Sequence, residues 1–362
     1  MSKRTVIPFG PQHPVLPEPV HLDLVMEDEK VVTAIPRIGF IHRGLEKLVE
    51  KRDYTQFVYV TERICGICSF GHSLGYSQCI EQLMGIEVTS RAEYLRVIFH
   101  ELSRIHSHLL WLGLAADAFG FEALFMHAWR LREQVLDIFE ECTGGRVIFS
   151  ACDVGGFRQD VSNETLNGIV ITLEKLEAEY HAIARSFLDD SSVKNRLVGI
   201  GYLSKEQAVE HSLVGPFGRA SGLIVDERLY GNGAYGELAA FEPVISEQGD
   251  CYARCDVRIK EVYQSIAIIK ELVSKIPDGE VMIPVKGKPE AGTRAMMTVE
   301  QPRGQAFYYA VGNGTKFLDR MRVRTPTSQN LSGLVASLAG CDFADVPNIV
   351  LTIDPCISCT ER

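Results

Sequence analysis

Residues 95–109 read Leu95-Arg-Val-Ile98-Phe99-His-Glu-Leu102-Ser-Arg-Ile105-His-Ser-His-Leu109, with apolar positions returning every three or four residues. That spacing gathers them on one face of a helix. Two other stretches repeat the pattern: Leu124, Ala128, Leu131, Val135 and Ile138, then Leu166, Ile169, Val170, Leu173, Leu176, Tyr180, Ile183 and Phe187. Ser204 and Gln207 are spaced as a capping box and predict a further helix start. Strand signals are few and lie toward the flanks, at residues 21–26, 31–35, 281–285 and 306–311, which alternate or run apolar between turn residues. The expected fold is mainly α, a central helical bundle with small peripheral β-sheets. No linker, repeat or low-complexity tract divides the sequence, so residues 1–362 are expected to form one domain.

With 362 residues, 46% of them hydrophobic and 23% charged, the chain can bury a large core. Its longest apolar runs, such as 109–116, fall far short of the roughly 20 residues that a membrane-spanning helix needs. The N-terminus has no apolar stretch of the signal-peptide kind. The expected location is therefore cytoplasmic, at a membrane only if a partner carries the chain there. Thirty-seven basic against 47 acidic residues give a formal charge of −10, which argues against nucleic acid as a partner. The cluster Arg320, Arg322 and Arg324 is too local to alter that.

Ten cysteines are too sparse for a disulfide scaffold, but four form two C-x-x-C pairs. The first lies in Arg63-Ile-Cys65-Gly-Ile-Cys68, where glycine lets both sulfurs approach one ion. If a helix begins near Cys68, His72 lies one turn along the same face. The second pair is Cys356-Ile-Ser-Cys359, entered through Asp354-Pro355 after the apolar run 349–353, which reads as a strand. Four thiolates favour zinc, an iron-sulfur cluster, or nickel with iron over magnesium or calcium, and spacing alone does not choose among them. A structural zinc site usually joins its pairs across a short loop, whereas almost the whole chain separates these. A thioredoxin-like redox pair would need a βαβ setting that neither pair has. Cys79, Cys142, Cys152, Cys251, Cys255 and Cys341 read as small buried residues. The letters Gly231-Asn-Gly233-Ala-Tyr-Gly236 match a dinucleotide fingerprint, but without a preceding buried strand they read as a glycine-rich loop.

At the two cysteine pairs the sequence resembles nickel-iron hydrogenase large subunits. The segments Gly10-Pro-Gln-His13-Pro14, Ile38-Gly-Phe-Ile-His42-Arg43-Gly44-Leu-Glu46 and 103–113 are similar to the quinone-site subunit of respiratory complex I. Gly215-Pro-Phe-Gly-Arg219, Gly249-Asp-Cys-Tyr-Ala-Arg254 and Pro302-Arg303-Gly304 carry the likeness across nearly the whole chain. Together these resemble membrane-associated, energy-converting hydrogenases of the Ech or carbon-monoxide-induced type. In the complex I subunit the metal-binding cysteines are lost, whereas all four are present here.

The resemblance implies a nickel-iron centre with carbon monoxide and cyanide on the iron. Cys65 and Cys356 would be terminal nickel ligands, and Cys68 and Cys359 would bridge to iron. Glu18 matches the proton-accepting carboxylate, Arg303 would overhang the open metal position beside Asp354, and His72 would hydrogen-bond a bridging sulfur. The Cys356 thiolate would act as first base. A second metal, magnesium or iron, would sit at Glu46 with a terminal histidine as its other ligand, but here Thr360-Glu361-Arg362 follow Cys359, and arginine has no lone pair to donate. Implied partners are an iron-sulfur small subunit, a ferredoxin-like electron-transfer subunit, membrane proton-pumping subunits and carbon monoxide dehydrogenase. Implied location is the inner face of the cell membrane. The alternatives from other classes are a non-catalytic coupling subunit of a complex I-like assembly and a zinc-stabilised structural protein.

Overall fold

The computed structural model describes residues 4–14, 16 and 18–362. Strands β1 (Arg4–Phe9), β2 (His21–Glu27) and β3 (Lys30–Arg37) form an antiparallel sheet in that order. Helices α1 (Phe57–Glu62), α2 (Ser69–Met84), α3 (Ser90–Ala118) and α4 (Glu122–Thr143) follow. A two-residue hairpin, β4 (Cys152–Asp153) and β5 (Gly156–Phe157), leads into α5 (Asn163–Leu188), α6 (Ser191–Leu197), α7 (Lys205–Glu210), α8 (Gly215–Arg219) and α9 (Cys251–Lys275). The chain closes with a second antiparallel sheet, β6 (Arg294–Gln301), β7 (Gly304–Gly312) and β8 (Leu318–Arg324), then α10 (Pro326–Leu338), α11 (Val346–Ile353) and α12 (Ile357–Thr360).

The mainly α expectation holds, and the three periodic stretches are α3, α4 and α5. All six apolar residues of the α3 stripe are buried, and α3 packs against α4 on one side and α9 on the other. The capping box at Ser204 and Gln207 is formed at the start of α7. Most buried apolar side chains belong to one contiguous cluster, which includes the four paired cysteines.

Two strand readings are corrected. Residues 349–353 lie in α11, because a short, wholly buried apolar run is ambiguous by period and Pro347 favours a helix start there. Residues 281–285 make only a bridge from Met282 to Gly156, since Pro284 has no N–H to extend a ladder. Cys341 is partly exposed, unlike the other cysteines. The arginines at 320, 322 and 324 prove to be the outward face of β8, alternating with buried Met321 and Val323.

The sheet β6-β7-β8 lies against α2. Its β6–β7 turn is Pro302-Arg303, closed by the pair Gln301 and Gly304. Gly304 has φ 125°, and its backbone abuts that of Gly215, so a side chain at either glycine would collide with the other strand of chain. This close approach aims Arg303 inward, toward the cysteines.

Candidate metal centre

Each cysteine pair sits at the mouth of a helix. Cys68 is the residue before α2, and the His72 N–H donates to the Cys68 carbonyl at 3.2 Å, as the reading of one shared helix face requires. Cys356 caps α12 and accepts at Sγ from the Cys359 N–H at 3.4 Å. The four sulfurs of Cys65, Cys68, Cys356 and Cys359 lie within 4.8 Å of one another, and all four residues are buried free thiols. Cys68 and Cys359 are 3.2 Å apart and Cys65 and Cys356 3.4 Å apart. Hydrogen bonding with the thiols of Cys356, Cys359 and Cys65 holds the Cys68 pKa well below the ordinary thiol value, while burial pushes Cys359 up. The donors thus converge on a space that suits a soft or borderline cation. Among the described residues they are the one group of three or more such ligands.

Behind the sulfurs runs a chain of hydrogen bonds. His72 Nε2 lies 3.4 Å from Cys359 Sγ, and His72 Nδ1 lies 2.9 Å from the Tyr308 hydroxyl. Gln301 Nε2 donates to that hydroxyl oxygen at 3.1 Å. The hydroxyl also lies 3.4 Å from the Gly71 carbonyl, and these contacts fix the His72 ring with Nδ1 toward Tyr308 and Nε2 toward the sulfur. Tyr308 reaches His72 because Gly75 leaves its ring room to lie on α2. Sequence reasoning missed Tyr308, although β alternation through 306–311 puts it on the buried face.

Arg303 and Asp354 form a buried ion pair, with Nη2 2.8 Å from Oδ1 and Nε donating to the Asp354 carbonyl at 2.9 Å. Asp354 has φ 58° and ψ 57°, a left-handed conformation that is costly for a non-glycine residue and turns the chain from α11 into the cysteine loop. Its other oxygen, Oδ2, is buried without a hydrogen bond. Burial raises the Asp354 pKa above the usual carboxylate value against the pull of Arg303. Burial works against the Arg303 charge too, but Asp354 and the thiols of Cys356 and Cys68 hold its pKa well above normal. A fixed positive charge and an unsatisfied carboxylate oxygen beside four thiols are the surroundings expected of a charged metal group rather than of a packed core.

Glu18 is half-buried, and its carboxylate accepts from the backbone N–H groups of Ile357 and Ser358 and from the Ser358 hydroxyl. It therefore reaches the second cysteine loop directly, across the first turn of α12. On its outer side it lines a surface cleft with Gln12, His13 and Pro19. Glu46 stands elsewhere. Its Oε1 accepts from Arg362 Nε at 3.0 Å and the Val323 N–H at 2.9 Å, and Arg322 lies 3.3 Å from Oε2. These residues do not fit a second metal, because guanidinium groups already neutralise the one carboxylate.

Two arginines that sequence reasoning left without a role brace the cysteine loops. Arg43 donates to the carbonyls of Arg63 and Ile64 at 2.7 and 2.8 Å and to that of Ser358 at 3.2 Å. Arg258 donates to the carbonyls of Thr352 and Ile353 at 2.6 and 2.9 Å, holding the end of α11 where Asp354 follows.

The chain is similar to known proteins over almost its whole length. The family model described as nickel-dependent hydrogenase matches residues 43–115, and that of the 49 kDa subunit of respiratory-chain NADH dehydrogenase matches residues 118–290 and 284–362. The carbon monoxide-induced hydrogenase of Rhodospirillum rubrum is 37% identical over 98% of this chain and 99% of its own. The membrane-bound hydrogenase subunit alpha of Pyrococcus furiosus is 35% identical over 98% of this chain and 87% of its own. A subunit of the NADH-quinone oxidoreductase of Dehalococcoides mccartyi is also 35% identical, over 98% of this chain and 97% of its own. Among solved structures, a chain of the membrane-bound sulfane sulfur reductase, an archaeal respiratory membrane complex, superposes with a TM-score of 0.94 at 30% identity, covering 99% of this chain and 98% of that one. No helix of the described residues is long and apolar enough to cross a membrane. The chain belongs to the family that unites nickel-iron hydrogenase large subunits with the 49 kDa subunit of complex I.

Proposed function

We propose that this chain is the catalytic subunit of a membrane-associated, energy-converting nickel-iron hydrogenase, reducing protons to dihydrogen or running the reverse. The observation that carries the reading is the convergence of four buried thiols beside the Arg303–Asp354 pair. It favours hydrogen chemistry over a purely coupling role, which needs no such thiol set.

Cys65, Cys68, Cys356 and Cys359 would hold the nickel and iron through their four sulfurs. When bound, a nickel-iron group with carbon monoxide and cyanide on its iron supplies the electron-withdrawing centre that makes dihydrogen acidic enough to split. The protein's own residues do the rest. The Cys356 sulfur takes the proton, and Glu18, fastened over the same turn, passes it to the cleft at Gln12 and His13. Arg303 keeps its positive charge in a water-poor pocket, held in direction by Asp354. His72 donates to the Cys359 sulfur and moderates its charge.

The described residues hold no second cysteine cluster to carry electrons to the surface, which supports an iron-sulfur small subunit as partner. A ferredoxin-like subunit, proton-pumping membrane subunits and, upstream, carbon monoxide dehydrogenase complete the assembly that we infer, peripheral on the inner face of the membrane. In the intact assembly, Cys356→Ala should abolish hydrogen evolution, and retained evolution would refute the ligand assignment. Glu18→Gln should keep the metals yet slow hydrogen–deuterium exchange. An unchanged exchange rate would remove Glu18 from the proton route.

A further inference from the structure

Between α3, α8, α9 and β6 the fold buries seven formally charged side chains. Arg219 pairs with Glu261 and Glu300, both at 2.7 Å, and with Asp226 at 3.2 Å. Arg228 pairs with Asp226 at 2.8 Å and Glu101 at 3.4 Å, and Arg104 with Glu101 at 3.3 Å. None of these side chains is more than 1% exposed in these pairs. Three guanidinium groups (Arg104, Arg219, Arg228) thus face four carboxylates (Glu101, Asp226, Glu261, Glu300). His108 Nε2 lies 2.8 Å from Glu261, but its Nδ1 is buried without a partner, so a second N–H there would be left unpaired, and burial lowers its pKa to about 4; it does not count as a fourth positive charge. An isolated buried charge is costly and is usually removed by protonation. Arg258, also buried and acting on Glu261 from farther off, spends its nitrogens on the carbonyls of Arg254, Thr352 and Ile353; among groups in direct contact the cluster is thus one positive charge short, which a proton on one carboxylate relieves.

The contacts decide where that proton sits. Glu101 accepts from the Tyr235 and Ser265 hydroxyls besides its arginines. Both oxygens of Asp226 are held by Arg228, and Glu261 takes two nitrogens of Arg219 plus His108. Glu300 has the fewest charged partners: one nitrogen of Arg219 on Oε1 and the Glu227 N–H on Oε2 at 3.2 Å. Arg104 spends its terminal nitrogens on the backbone carbonyls of Glu300 and Gln301 instead of the carboxylate. Burial and then the Asp226 charge raise the Glu300 pKa to about 7, while Arg228 and Arg219 pull Asp226 below its usual value against burial.

Glu300 also has a way out. It lines a cavity with the charged Glu93, Arg96, Glu227 and Arg228 and with His100 and Asn232, with about 20 Å³ of room for water, enough for one molecule. His100 is 1% exposed, and its Nε2 has no protein partner, as a site for a bound water requires. Glu93 is 24% exposed at its side chain and Asn232 is exposed, so the cavity's rim meets solvent.

We propose that Glu300 is a proton-holding site of this protein, charged and discharged through the water of this cavity and standing three residues before Arg303 on the strand that leads to the metal centre. The step is a simple transfer: the cavity water gives a proton to Glu300 and recovers one from solvent past Glu93, and no electron moves. The protonation itself does not depend on the hydrogenase reading.

The test is infrared spectroscopy of the purified full chain in H₂O and D₂O, following the carbonyl stretch of protonated carboxyl groups from about pH 5 to about pH 9, which brackets the ordinary and the raised values. A deuterium-sensitive band should titrate with a midpoint near 7, be missing in Glu300→Gln, and move down by about one pH unit or more in Asp226→Asn, where the like charge is gone. Absence of any such titration in the unmodified chain overturns the proposal, which covers the case of variants that do not fold. So does a band that survives in Glu300→Gln or a midpoint that ignores Asp226→Asn.

Discussion

Arg43 Nη2 donates to the carbonyl of Ser358 at 3.2 Å while the same guanidinium holds the carbonyls of Arg63 and Ile64. One side chain thereby ties the residues just before the first cysteine pair to the residue between the cysteines of the second. These loops come from opposite ends of the chain, and nothing in the sequence spacing brings them together. Arg43→Ala should weaken metal retention without removing a ligand, and Arg43→Lys should recover only part of it, since lysine cannot reach three carbonyls from one planar fork. Nickel remaining after dialysis against a chelator measures this. Equal retention in all three proteins would deny the clamp.

Tyr308→Phe removes the hydroxyl that fixes the His72 ring. The variant should lose about 1–3 kcal/mol in urea unfolding, the cost of leaving a buried polar group unpaired. Gly75→Ala should act in the same direction by pushing the Tyr308 ring off α2. If Tyr308→Phe is as stable as the original chain, the His72 orientation is set by something else.

Much of the helical frame was legible because α3, α4 and α5 present a regular apolar stripe. The cysteine site was legible because two pairs with identical spacing are a rare pattern. Other parts were hidden for physical reasons. Strand β8 looked like a basic cluster because Arg320, Arg322 and Arg324 alternate with its buried residues, and α11 looked like a strand because a helix buried on almost every side has no polar stripe to show its period. Tyr308, Arg43 and Arg258 act through backbone carbonyls or through another side chain, contacts that only the folded arrangement creates. The Glu46 reading came from resemblance, and its outcome turned on one residue, Arg362, which occupies the carboxylate.

Arg362 does more than neutralise Glu46. Its Nη1 also donates to the carbonyls of Cys359 and Thr360, at 3.4 and 3.1 Å, so Arg362→Ala frees both the last turn and Glu46. We expect a loss of about 1.5–3 kcal/mol, the range for hydrogen bonds to charged groups. Adding magnesium should not restore it. Restoration by magnesium would mean that Glu46 is part of a metal site after all.

His100 makes stability sensitive to acid. Burial lowers its pKa from 6.5 to about 3, so the folded chain keeps it neutral while the unfolded chain protonates it. The stabilisation is complete above pH 6.5 and is lost as the pH falls through the window between the two values. Each pH unit in that window costs up to about 1.4 kcal/mol. Unfolding by urea at several pH values should therefore show a flatter acid limb in His100→Gln than in the original chain. Parallel limbs would mean that His100 does not titrate differently on unfolding.

Everything proposed for the chemistry rests on Cys65, Cys68, Cys356 and Cys359 holding nickel with iron. Elemental analysis of the intact assembly, compared with the Cys65→Ala variant, decides this. We expect one nickel per chain, accompanied by iron beyond that of the iron-sulfur clusters, and its loss in the variant. Zinc in place of nickel, or nickel that persists in Cys65→Ala, would contradict the assignment.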